Sequence, residues 1–343
     1  GVRSSVEYND NVFIDADNEE DDIVAVLAPT LSVNTGDFRK RQAAYLSAAY
    51  TATASTYIND TADETLDHLL QAEGQLKKGK LTVPFTAQAS RETGAFLDVG
   101  GRDTAISYRG RIELNYEATS KVSLGVAAEY SATDYSIFAD FSRAIAEAYV
   151  SYQVTAKTSL GVAYRYSDSS TDGASSQKYQ AALLRLNSSP GTKFSTVSEV
   201  GLAFSELGKG DRTDVIYRMG VAYQPTSKRR FALEAVREPN TSSFTVGSGV
   251  IRNGIQASYD QALGNRTRLK LTGGYQHKDY FAADEGIATD RQEDYLAFSA
   301  LLAYDINAHW SAELFYSYAN NDSNDPALGF DNQRVGMGLN WTY

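Results

Sequence analysis

Charged side chains alternate with apolar ones along much of this chain, and the charged positions are where chemistry could be done. Arg109, Arg111 and Glu113 fall at every second residue, between Tyr108, Gly110, Ile112 and Leu114. The same alternation places Arg143, Glu147, Arg165, Arg185, Arg218, Arg252, Arg268, Lys270, Glu313 and Arg334 opposite apolar neighbours. A face this charged cannot sit in a dry core, so its members need water or one another. Two arrangements answer that need. Arg–Glu pairs between neighbouring strands would stiffen a wall. A basic track facing water would attract anionic solutes, because rings of like charge set pore selectivity.

Catalytic chemistry is poorly supplied. The histidines are His68, His277 and His309, and there is no cysteine. A lipase-type site needs a serine nucleophile held against a histidine base. His309 falls in a short turn, while His68 and His277 lie near loops at the other end of their strands. Solvated or interfacial histidines account for all three, and no catalytic residue is expected. Asp15, Asp17, Glu19, Glu20, Asp21 and Asp22 offer hard oxygen ligands, as do Asn320, Asn321, Asp322, Asn324 and Asp325. Neither run has the spacing of an EF-hand loop. Solvated loops explain both, so no resident metal or cofactor is expected. Gly94 to Gly101 precedes no helix and reads as a loop, not a phosphate cradle. The formal charge of −11 argues against a nucleic-acid partner.

The elements that must position these charges are strands. No apolar run approaches the roughly 18–20 residues of a helical span. Period-two alternation recurs from Val6 and Tyr8 to the last residues, where Val335, Met337, Leu339, Trp341 and Tyr343 share one face. That final segment has the form of an outer-membrane targeting strand. The 23 Tyr, 14 Phe and two Trp suit interfacial girdles. About 18 strands can be counted, joined alternately by short turns and longer polar loops. Asn34 to Asp37 and Pro239-Asn240 read as breaks between strands. The expectation is one all-β domain over residues 1–343, a transmembrane antiparallel up-and-down barrel with both termini periplasmic. The chain reads as mature, its secretion signal removed. Outer-membrane lipid, lipopolysaccharide and the outer-membrane assembly machinery are the partners such a barrel implies. With no loop long enough to form a plug domain, the lumen is expected to be open, or closed by packed side chains and a partner protein.

Three short motifs carry a family resemblance. They are Tyr8-Asn9-Asp10-Asn11-Val12-Phe13, Ser90-Arg91-Glu92, and Phe330-Asp331-Asn332-Gln333-Arg334-Val335-Gly336. In these the chain resembles the outer-membrane family known as "putative β-barrel porin, type two". The resemblance implies an envelope channel, often linked with export of surface polysaccharide, and a periplasmic export component as a candidate partner. The expected function is a channel for polar solutes: a polysaccharide-export or anionic-saccharide porin. The alternatives are a general diffusion porin and a closed structural or adhesive barrel with acidic ligand-binding loops.

Overall fold

The computed structural model describes residues 1–36, 44–96, 101–242, 244–287 and 289–343. Its strands are β1 (Val2–Asn9), β2 (Asp22–Gly36), β3 (Tyr45–Tyr57), β4 (Thr65–Lys78), β5 (Leu81–Phe96) and β6 (Gly101–Glu117). Then come β7 (Val122–Tyr135), β8 (Phe141–Thr155), β9 (Thr158–Thr171), β10 (Gln177–Ser188), β11 (Phe194–Glu206) and β12 (Arg212–Thr226). The last third holds β13 (Arg229–Thr241), β14 (Ser248–Ala262), β15 (Thr267–Ala282), β16 (Gln292–Asp305), β17 (Trp310–Ser323) and β18 (Phe330–Trp341). Each strand pairs antiparallel with the next, and β1 pairs with β18 from Val2–Trp341 to Asn9–Arg334. The sheet is therefore a closed 18-stranded barrel, as the alternation predicts. Both termini lie at the end that carries the short turns.

Alternation sorts the side chains. Leu31, Leu184, Val162, Val215, Leu314 and Met337 are exposed on the outer face, where a membrane would cover them. Aromatic residues border this band on both sides. Tyr116, Tyr152, Tyr223, Tyr304 and Trp310 stand toward the short turns, and Tyr8, Tyr108 and Tyr130 toward the loops. This is the girdle arrangement of an outer-membrane barrel.

Prolines mark where the ladder lapses, because proline has no N–H to donate. Pairing of β2 with β3 skips Ala28 and Pro29, and pairing of β5 with β6 skips Val83 and Pro84; both ladders then resume. At Pro239 the ladder does not resume. The β12–β13 pairing stops at Tyr217–Arg237, although β12 starts at Arg212 and β13 continues to Thr241 while paired with β14. Pro239 thus sits inside a strand that has lost one neighbour. It does not open a loop, as expected from its type.

Two other expected breaks also move. Asn34–Gly36 belongs to β2, and Gly94–Phe96 and Gly101 belong to β5 and β6. Asp37 and residues 97–100 lie outside the described residues.

Above the seam, the β13–β14 hairpin folds across the loop end of the barrel. β13 comes within 8 Å of β9 (Cα–Cα), although three strands separate them in the wall. Gln177 Nε2 donates to the Ser248 carbonyl at 3.2 Å. Phe244 lies against Phe138 and under the Arg291 guanidinium. Ser248, Val250 and Ile251 are buried, as a hairpin covered on both faces requires. Among the described residues, part of the loop end, between β7–β10 and β13–β16, is therefore roofed by short segments packed together.

Candidate functional site

On the inner face, the charges of β6 to β11 form a ladder. Glu147 on β8 meets Arg165 on β9 at 2.8 Å and Arg185 on β10 at 2.6 Å, with Arg111 on β6 at 3.8 Å. The same two arginines meet Glu199 on β11 at 2.8 and 2.7 Å. Arg109 and Arg111 meet Glu129 at 2.7 and 3.5 Å. Tyr149 donates to Glu113 at 2.6 Å, and the Arg185 guanidinium lies over its ring. Arg143 reaches Ser167 and the Tyr179 hydroxyl. Several of these bonds skip a strand, which side chains can do only on the concave side of a curved sheet. Beside the ladder, Ala163, Ala181, Leu183, Ala203 and Ile216 form a small apolar cluster with Tyr179. Glu147 keeps only 2 % side-chain exposure there. Buried charge on this scale survives because Glu129, Glu147 and Glu199 each meet two or more guanidinium groups.

The inner face from β12 to β18 is built differently. A groove of about 370 Å³ has a floor of small residues, Gly254, Gly274, Ala297, Ser299, Ser317 and Ala319, with Arg218, Arg252 and Arg334 around it. Arg218 and Arg252 share one acid, Glu238, the former at 3.2 Å. Arg334 reaches Glu7 only at 4.0 Å and keeps 47 % side-chain exposure. Nearer the short turns, Arg268 pairs with Asp305 at 2.9 Å and Glu313 with Arg3 at 2.6 Å. Lys270 is exposed on the same inward parity, and among the described residues no ion pair holds it.

The histidines lie apart from all this. His68 meets the Tyr50 hydroxyl at 2.8 Å, and His277 stands between Asp294 and Asp279 on the outer face. His309, in the β16–β17 turn, meets the Thr342 carbonyl at 3.0 Å. None is hydrogen-bonded to a serine among the described residues.

Sequence reading missed two charge clusters, whose members sit near the loop ends of β12 to β16. At the β12–β13 seam, Arg237 donates to the Val215 carbonyl at 3.0 Å and to Asn253 at 2.6 Å. Arg212 grips Asp214 through two bonds of 2.7 and 3.0 Å and lies over the Phe281 ring. In the roof, Glu293 is fully buried between Arg291 and Lys278. Strand parity announces neither cluster. The Pro239 signal, two residues after Arg237, was the available clue to the first.

The acidic run after β1 has a structural duty. The Asp22 carboxylate is buried and accepts from the amides of Ile23, Asn59 and Thr61, tying the β1–β2 loop to the β3–β4 loop. Burial opposes its ionisation, but these donors outweigh burial and hold the carboxyl below its ordinary pKa. Asp15, which accepts from Asp17 and Asn18, is lowered in the same way.

No curated protein matches the sequence. Among solved structures, OccK5 (OpdH) of Pseudomonas aeruginosa is similar at 11% identity and TM-score 0.47, covering 100% of this chain and 97% of that one. OccK11 (OpdR) of the same organism gives 12% identity and TM-score 0.45, covering 100% and 95%. A mutant ferric enterobactin receptor, PfeA, also from Pseudomonas aeruginosa, gives 6% and 0.48, covering 100% and 80%. Residues 213–343 match the family model described as "Putative beta-barrel porin 2", the family that the short motifs resemble, and the chain as a whole folds as a closed 18-stranded antiparallel β-barrel.

Proposed function

We propose that this barrel is a channel for anionic, hydroxyl-rich solutes, and that saccharide chains bearing carboxylate or phosphate groups are its cargo. The observation that carries the reading is the groove at β12 to β18. Its floor of glycine, alanine and serine leaves room for a solute, and the arginines around it are loosely held: Arg218 and Arg252 share Glu238, and Arg334 comes no nearer than 4.0 Å to Glu7. Guanidinium groups suit such cargo because their fork matches carboxylate and phosphate oxygens. Gln256, Gln276, Ser299 and Ser317 add hydrogen-bonding groups that a hydroxyl-rich chain can exchange as it moves. The pore-lining role of Arg109, Arg111, Glu113, Arg143, Glu147, Arg165 and Arg185 in this reading is to shape and stiffen the wall. Arg218, Arg252, Arg268, Lys270 and Arg334 face the cargo.

The test is ion selectivity in a planar bilayer. The wild-type reversal potential in a salt gradient should favour anions, and an acidic oligosaccharide should block the current. Replacing Arg218, Arg252 and Arg334 together by glutamine should lower the anion preference about threefold or more, since rings of charge set selectivity. Unchanged selectivity in that variant would refute the assignment.

A further inference from the structure

The two ends of the barrel differ in charge, and the short-turn end has a groove of its own. The loops carry Asp15 to Asp22, Asp60, Asp63, Glu64, Asp284, Glu285, Asp290 and Asp325. Cations mark the short turns instead: Lys80, Lys121, Lys157, Lys193, Lys228 and Arg266. Inside that end, a groove of about 440 Å³ is lined by Lys228, Arg229, Arg230, Arg268 and Lys270, with Asp260 and Glu313. Strand register sets Arg230, Asp260 and Lys270 in one row across β13, β14 and β15. One carboxylate thus stands between two cations. Neither Arg230 nor Lys270 is in an ion pair among the described residues, and both are exposed on the inward parity of their strands. Glu313 is engaged elsewhere, by Arg3 and Asn340.

From this arrangement we propose that the short-turn end holds a capture site for phosphate or carboxylate groups, centred on Arg230 and Lys270, which loads anionic cargo into the barrel from that end. The inference rests on the channel reading and adds a direction to it. Two unpaired cations beside a single carboxylate leave net positive charge in a partly enclosed mouth, where low-dielectric walls concentrate the field on an incoming anion. The opposite mouth, partly roofed and acidic, repels the same anion. Cargo with several negative groups is therefore held at one end and released past the other.

Tripolyphosphate serves as the probe. Since the chain has no cysteine, a single Ser227→Cys variant modified by a charged thiol reagent from one chamber reports which chamber the short turns face. Block by tripolyphosphate from the short-turn chamber should need about tenfold less probe than block from the loop chamber, the size expected of two partly screened charges. The double variant Arg230→Gln/Lys270→Gln should abolish that difference. A control pair on other short turns, Lys121→Gln/Lys193→Gln, distinguishes the groove from headgroup-like phosphate binding at the rim. If the control abolishes sidedness and the inner pair does not, the site is a rim site and the proposal fails. Equal block from both chambers also overturns it, while anion preference measured by reversal potential would still stand as the separate test of the channel reading. Calorimetric titration of the solubilised barrel with tripolyphosphate gives a readout that needs no conductance: the inner pair should weaken binding about tenfold, and unchanged binding would overturn the proposal.

Discussion

The wall from β6 to β11 and the wall from β12 to β18 draw on the same residue types, at the same strand parity, and build opposite things. In the first, Arg165, Arg185, Glu147 and Glu199 close on one another, and an apolar cluster seals the space beside them. In the second, Arg218, Arg252 and Arg334 stand over glycine and alanine with one well-placed acid among them. What separates the two is the company of each arginine. Large neighbours and paired acids convert charge into structure; small neighbours and few acids leave it available to solutes.

Stability measurements should break this contrast first if it is wrong. Glu147→Ala leaves Arg165 and Arg185 short of a buried partner and should cost about 3–5 kcal/mol, read as a lowered urea midpoint for the barrel in lipid vesicles. Glu238→Ala, in the open sector, should cost only about 1 kcal/mol because its partners remain hydrated. Equal losses would erase the distinction. The sectors should also exchange roles in conductance. Arg165→Gln/Arg185→Gln should destabilise the barrel with little change in selectivity, whereas the Arg218, Arg252 and Arg334 triple variant should do the reverse, costing less than about 1 kcal/mol.

Asp22 sharpens the comparison from outside both sectors. Asp22→Asn replaces one of the two acceptor oxygens that hold the Ile23, Asn59 and Thr61 amides by an NH2 donor and should cost about 1–2 kcal/mol. Its carboxyl is held below the ordinary value, so ionised Asp22 favours the folded state. That contribution is complete above the unfolded pKa, about 4, and is lost as pH falls through the lower folded pKa. The gap in melting temperature between wild type and Asp22→Asn should therefore be constant from pH 7 to 5 and shrink in stronger acid. The smallest effect should come from Pro239→Val, within about 1 kcal/mol. Its readout is amide hydrogen exchange at Thr213 to Ile216, which should slow if the new N–H lets β13 rejoin β12.

Strand alternation made most of the architecture legible before any coordinates. The parity of Ile106 to Tyr116 and of Val335 to Trp341 survives unchanged in the barrel, because a one-residue slip would expose charge to lipid, while Thr342 and Tyr343 lie beyond the end of β18. Inward placement of the arginines followed from the same rule. Which of them would be paired did not, since Arg185–Glu147 and Arg165–Glu199 each skip a strand and depend on wall curvature. The roof was hidden for a related reason. Phe138, Phe244 and Arg291 lie far apart in sequence and meet only because β13 departs from β12. Glycines and prolines proved ambiguous: Gly94 and Pro239 have the composition of breaks yet lie within strands.

The departure at Tyr217–Arg237 has a mechanical consequence. In a ring of fully paired strands, load is shared around the circumference and no strand is first to yield. A ring with one pair of strand tips unzipped behaves as a clasp, and here its fastening is side chains: Arg237 on the Val215 carbonyl and beside Asp214 at 3.7 Å. Force applied to the loops should part the wall there before anywhere else, splitting the cylinder lengthwise into a sheet that begins at β13 and ends at β12. Force spectroscopy on single barrels would register the event as an early step that Arg237→Ala moves to lower load.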